Sequence, residues 1–183
     1  MKYLTFVFVC AVLFSACSNN EKITTPAAPG SVADVSKTIK GKNYKTVKLG
    51  IISPLAMDSA NPVNWAIEKE DTSKFFMDYA NKQLAFSLTF SKDSTCSFYD
   101  VEQKKNIAAT FSIDNDANLG YEEAKPGIKL RINYSDSMDF GGTKTASVMT
   151  LSYGVLGMND KELLLETGRS FNNRKLAVWM KVE

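Results

Sequence analysis

The sequence predicts an all-β protein, a single antiparallel up-and-down barrel of about eight strands with short helical segments at one end. Three observations predict it. Apolar and polar residues alternate in run after run, turn-forming residues separate those runs at short spacing, and helical periodicity is confined to two stretches. Short connections favour antiparallel neighbours, and closing the sheet on itself removes exposed edges.

The N-terminus is read apart from the barrel. Lys2 is the one charge ahead of an uncharged run, Leu4 to Phe14, which has the length of a secretory h-region. A bilayer-spanning helix needs roughly 20 apolar residues, and polar sequence from Ser18 onward denies this segment the extra turns. The pair Ser15-Ala16 before Cys17 resembles the lipobox of bacterial lipoproteins, in which the cysteine is lipidated and becomes the new N-terminus. That resemblance implies a signal peptide over residues 1–16 and a lipid tether on Cys17. Residues 17–36 are polar with two prolines and a glycine, and read as a flexible spacer. The folded domain is expected over 37–183. Cys10 leaves with the leader and Cys17 carries lipid, so Cys96 has no disulfide partner and the domain depends on its core. About 145 residues suffice for one such domain.

Each element has its own signal. "SVADVSKTI" carries a weak helical pattern ahead of "GKNYKTVKL", the first strand. In "TSKFFMDYANK", Phe75, Phe76, Tyr79 and Ala80 share one helical face after a Thr72 or Ser73 cap. "LAFSLTF" alternates Leu84, Phe86, Leu88 and Phe90 with small or polar residues. "NIAATFSI" repeats the pattern with Ile107, Ala109, Phe111 and Ile113, and "IKLRINY" with Ile128, Leu130, Ile132 and Tyr134. "SVMTLSYGV" and "LAVWMKV" follow. The strings "SKDS", "DNDANLG", "MND" and "FNN" supply the Asn, Asp, Gly and Ser that tight turns use.

In this order, "GKNYKTVKL", "LAFSLTFSKDSTCSFYD", "ATFSIDNDANLG" and "LLLETG" before "LAVWMKV" resemble the lipocalin-like domains of outer-membrane lipoproteins from anaerobic Gram-negative bacteria. The resemblance implies a cup-shaped barrel with room for one small, apolar ligand. The residues themselves leave two interiors open, because inward Phe86, Phe90, Phe111, Ile132, Tyr134 and Met149 would line a cavity or fill a solid core equally well. The functional expectations follow the same fork. One is a membrane-anchored, non-catalytic binder of a small apolar ligand. The other is a solid barrel that presents its loops to another envelope protein or polysaccharide system. The lipid anchor places either in the outer membrane, facing the periplasm or the cell surface.

Other chemistries are excluded or weakly signalled. The chain has no His, which rules out Ser-His-Asp and Cys-His catalysis and His-based metal ligation. Losing residues 1–16 removes Lys2 and no acid, leaving 21 basic against 20 acidic side chains, with no basic stripe for nucleic acid. "GGTKT" at 141–145 lacks the spacing of a phosphate loop and reads as an ordinary loop, so no cofactor is implied. Lys104-Lys105 reads as a solvated hairpin, and Cys96 as a small strand residue rather than a nucleophile. Asp114, Asp116 and Asn118 have the D-x-D-x-N spacing that begins a calcium loop, but Leu119 and Lys125 stand where Gly and Glu are needed, so a turn is the better reading. Ser59, Ser94 and Ser137 each follow Asp in a tripeptide resembling the O-glycan acceptor of certain anaerobic gut bacteria.

Overall fold

A computed structural model of the chain describes residues 25–52, 63–64, 74–116, 127–171 and 174–183. The predicted signal peptide, Cys17, Ser59, Asn118 and the Thr72 and Ser73 caps lie outside them. Helix α1 spans Val32–Ile39 and α2 spans Lys74–Leu84. The strands are β1 Asn43–Ile52, β2 Val63–Asn64, β3 Ser87–Phe90, β4 Thr95–Asp100, β5 Lys105–Asp116, β6 Gly127–Phe140, β7 Thr143–Met158, β8 Glu162–Phe171 and β9 Arg174–Val182. Apart from the two-residue β2, which extends the edge of β1, each strand pairs antiparallel with the next, and β1 pairs with β9 to close an eight-stranded up-and-down barrel.

The alternation read from the sequence is the inward set. Leu88, Phe90, Phe98, Phe111, Leu130, Ile132, Leu163, Leu165, Leu176, Val178 and Met180 are buried in one core. In β1 the alternation Tyr44, Thr46 would next turn Lys48 inward. A bulge between Thr46 and Lys48 prevents this: Val47 is the extra residue, Lys48 stays out, and Leu49 and Ile51 enter the core. β8 and β9 read as unbroken apolar strings because both of their faces are buried. Leu164, Ala177 and Trp179 form a second cluster with Ile52 behind the core residues.

Order begins before the expected boundary at residue 37. Ser31 caps α1 by accepting the Asp34 N–H at 3.1 Å, and Val35 and Ile39 are fully buried against the barrel. Further upstream, the Met158 N–H donates to the Ala27 carbonyl (2.9 Å), so the chain from Pro26 runs alongside β7. The helices also do not share one end. α1 leads into the start of β1, near the β7–β8 turn, where Lys42 reaches the Asp160 carbonyl. α2 leads into β3 from the opposite end.

β6 and β7 are much longer than the barrel requires. β5 accompanies β6 only as far as the pair Thr110–Asn133, and β8 joins β7 only from Tyr153. Beyond those points, among the described residues, β6 and β7 pair with each other alone, as a two-stranded ribbon. "GGTKT" is its tip rather than a loop: Gly141 and Gly142 have φ of 64° and 92°, the two left-handed positions that a two-residue hairpin turn demands, and Thr143 already belongs to β7.

Candidate functional site

The site begins with the shortness of β3. Four residues long, it ends its pairing with β1 at Lys45, while β4 on its other side continues to Asp100. α2 occupies the space a longer β3 would take and packs on β1. The turn out of α2 is tied in place by backbone bonds: the Phe86 N–H donates to the Gln83 carbonyl, and the Phe86 carbonyl accepts from the Thr46 N–H, both at 3.0 Å. At the same end β5 parts from β6. A cleft of about 730 Å³ remains between α2, the end of β4 with its turn, and the base of the ribbon.

Four rings make its floor. Tyr134 meets Phe98 edge-on at 5.0 Å, Phe98 lies 6.1 Å from Phe86, and Phe86 lies 6.2 Å from Tyr153, so the rings form a continuous chain across the cleft. Leu151 and Tyr79 add further apolar surface. A hollow of about 250 Å³ shares Tyr79, Gln83, Leu151 and Tyr153 with the cleft and extends it toward β8. The rim is polar: Asp78, Asn81 and Lys82 on α2 face Asp100 and Glu102 at the β4–β5 turn. Lys82 Nζ donates to Glu102 Oε1 at 2.7 Å, and this bond, then the charge of Glu102, raises the pKa of the lysine. Asp100 Oδ1 accepts the N–H groups of Glu102 and Gln103, which fixes the turn. Lys104 completes that turn, exposed and at φ 51°, as the solvated hairpin predicted.

The structure divides the six residues expected to line a cavity. Phe86 and Tyr134 line the cleft. Phe90, Phe111 and Ile132 lie deeper, in the filled part of the barrel. Phe90 stands edge-on to Phe111 at 5.1 Å and to Tyr44 at 6.1 Å, and Ile132 is fully buried. Met149, opposite Tyr134 in the register, is half-buried at the ribbon base. The barrel is therefore packed at the α1 end and open at the α2 end. Phe98, Leu151 and Tyr153 were missed as cleft residues. Phe98 and Tyr153 sit on inward-facing alternations that the sequence shows, but their depth depends on where α2 and the ribbon leave the barrel.

The remaining candidates lie elsewhere. Asp114 is a strand residue bonded to Arg131 Nε at 3.2 Å, and β5 continues through Asp116, so the first two oxygens of the supposed calcium loop belong to a strand rather than a turn. Among the described residues no group of acidic or sulfur side chains is arranged to hold a metal. Cys96 is buried in β4, and burial pushes its thiol up to about 11, the opposite of what a nucleophile needs. Ser94 is exposed in the β3–β4 turn, where the Thr95 hydroxyl and amide both bond Asp93 and hold its carboxyl below the usual range. Ser137 is exposed on the ribbon, its N–H donating to Asp136 Oδ1. A second surface hollow, about 580 Å³, lies at the α1 end among Asn159, Asp160, Lys161, Glu162 and Lys181, without an aromatic wall. Among the described residues no helix is long and apolar enough to cross a membrane.

No family model and no curated protein matches the chain. Among solved structures, a DUF4847 family protein from Bacteroides vulgatus ATCC 8482 is similar to it at 13% identity and a TM-score of 0.42, over 80% of this chain and 96% of that one.

Proposed function

We propose that the protein is a lipid-tethered outer-membrane barrel that binds a small, largely apolar ligand, without catalysis, in the cleft at the α2 end. The observation that carries this reading is the unbroken chain of four aromatic rings on the floor of a 730 Å³ cleft. Ligand sites combine concavity, apolar walls and a few polar groups at the rim, and this cleft has all three. The tether is the lipid on Cys17, ten residues before the Ala27 carbonyl that bonds β7, a reach of at most ~36 Å. The exposure of Ser94 and Ser137 suits the O-glycan reading, which intact-mass measurement on protein from the native host tests: added hexose mass supports it, and a bare mass removes it.

Native mass spectrometry on the chain from residue 17 with Cys17→Ser, incubated with an extract of the host envelope, tests the binding reading. A reproducible added mass that is lost on denaturation is expected. Leu151→Trp, which places a large ring in the cleft, should weaken that binding at least about tenfold, a loss of ~1.4 kcal/mol. A bare mass for the unsubstituted chain contradicts the reading. The ribbon favours a second one: its free strand edges could present the barrel to another envelope protein or polysaccharide system.

A further inference from the structure

The charges around the cleft narrow the chemistry of what fits it. Among the described residues its lining holds three carboxylates, Asp78, Asp100 and Glu102, against one cation, Lys82. Lys82 is committed to Glu102 at 2.7 Å, and those two charges cancel locally. Asp100 accepts the amides of its own turn on Oδ1 and the Gln103 side-chain amide on Oδ2, which orders the carboxylate. Asp78 lies one helical turn before Lys82 on α2. Lys105 stands opposite Asp100 in the β4–β5 register, but it is exposed and does not line the cleft. Among the described residues the rim therefore carries net negative charge, three carboxylates sharing one lysine, above a floor of rings whose faces are themselves electron-rich.

Resting on the reading of the cleft as the binding site, we infer that its ligand carries a cationic group, an amine or quaternary ammonium, on an apolar or aromatic body. An ammonium at the level of Asp78 and Asp100 meets carboxylates on the rim and ring faces beneath. Its apolar body lies along Phe98, Phe86 and Tyr153. A neutral ligand of the same shape gains the rings alone. A carboxylate or sulfate is repelled at the rim and gives up hydration without a free cation to receive it.

The test is an NMR titration of the chain from residue 17 with Cys17→Ser, using three probes that share one body: 4-phenylbutylamine, 4-phenylbutanol and 4-phenylbutyrate. The amine should bind severalfold more tightly than the alcohol and at least about tenfold more tightly than the carboxylate. Asp78→Asn should reduce the preference for the amine over the alcohol. Equal affinity of amine and alcohol, or a preference for the carboxylate, overturns the inference while the cleft stands as an apolar site. Failure of all three to shift any cleft resonance overturns the inference together with the reading beneath it.

Discussion

Phe90 shows how a single side chain is used here. It is 1% exposed and stands edge-on between Phe111 and Tyr44, so Phe90→Ala removes a ring held between those of β1 and β5. Chemical denaturation should record a loss of about 3–5 kcal/mol. Tyr44 makes the opposite case. Its buried hydroxyl finds no hydrogen-bond partner, and burial, assisted by the charge of Asp160, pushes its pKa up to about 12. Tyr44→Phe should therefore be neutral or stabilising by up to ~1 kcal/mol, and a clear loss would show that the hydroxyl is bonded in solution. Cys96 gives the fold a pH dependence. The folded thiol titrates near 11 against a reference of 9.0, so the folded state holds its proton more tightly, and this contribution is complete below pH 9 and is lost as pH rises toward 11. In Cys96→Ala the fall in melting temperature over that window should be smaller than in the parent. Alternation in the sequence marked Phe86, Phe90, Phe111 and Tyr134 alike. Which of them touch solvent is decided by neighbours distant in the chain, and no local pattern carries that.

Among the elements, β1 and the β6–β7 ribbon depend most on local exceptions to a simple period. Deleting Val47 would take out the extra residue of the β1 bulge and leave Thr46, Lys48 and Leu49 in plain in, out, in alternation opposite Met180, Trp179 and Val178. That variant should keep a cooperative unfolding transition, and loss of cooperativity would contradict the register. Gly142→Val strains a turn outside the barrel. It should speed amide exchange from Ser137 to Ala146 and leave global unfolding within about 0.5 kcal/mol. α1 behaves as part of the core: starting the chain at residue 37 removes buried Val35 and should cost at least about 1.5 kcal/mol. β3 to β6 were legible because each carries an alternating run and α1 because it carries a helical period, whereas the two-residue β2 carries no signal of its own. The polar, Pro-containing run before α1 read as spacer because the contact of Pro26 and Ala27 with β7 is made by backbone, which composition does not reveal. The Gly141-Gly142 turn was legible in principle, as two residues free to adopt positive φ, but its flanks lack the alternation that makes a barrel strand visible, since none of the ribbon's described side chains is buried.

At the scale of the molecule, the ends of the barrel differ in kind. α1, the β7–β8 turn and the entry of the N-terminal segment mark one end, and α2, the cleft and the ribbon mark the other, with β7 spanning roughly 50 Å between them. The proposed tether at Cys17 would enter at the α1 end and so predicts that the cleft faces away from the bilayer. On vesicle-anchored protein, a fluorophore at Lys161→Cys should be quenched by a bilayer-resident quencher more strongly than one at Thr143→Cys, and the reverse order would contradict that orientation. Gly157→Ala would drive a methyl into the Pro26 carbonyl, so it should free the segment before α1 and make it sensitive to protease. Barrel closure was legible from strand number and short turns, whereas the opening was not, because it arises where β3 stops early and β5 leaves β6. The most direct test of the account is to titrate isotopically labelled chain with neutral 4-phenylbutanol and map the perturbed amides. Binding in the cleft predicts shifts at Tyr79, Phe86, Phe98, Leu151 and Tyr153 with Asn159 to Lys161 unmoved; no shifts, or shifts confined to the α1 end, would contradict it.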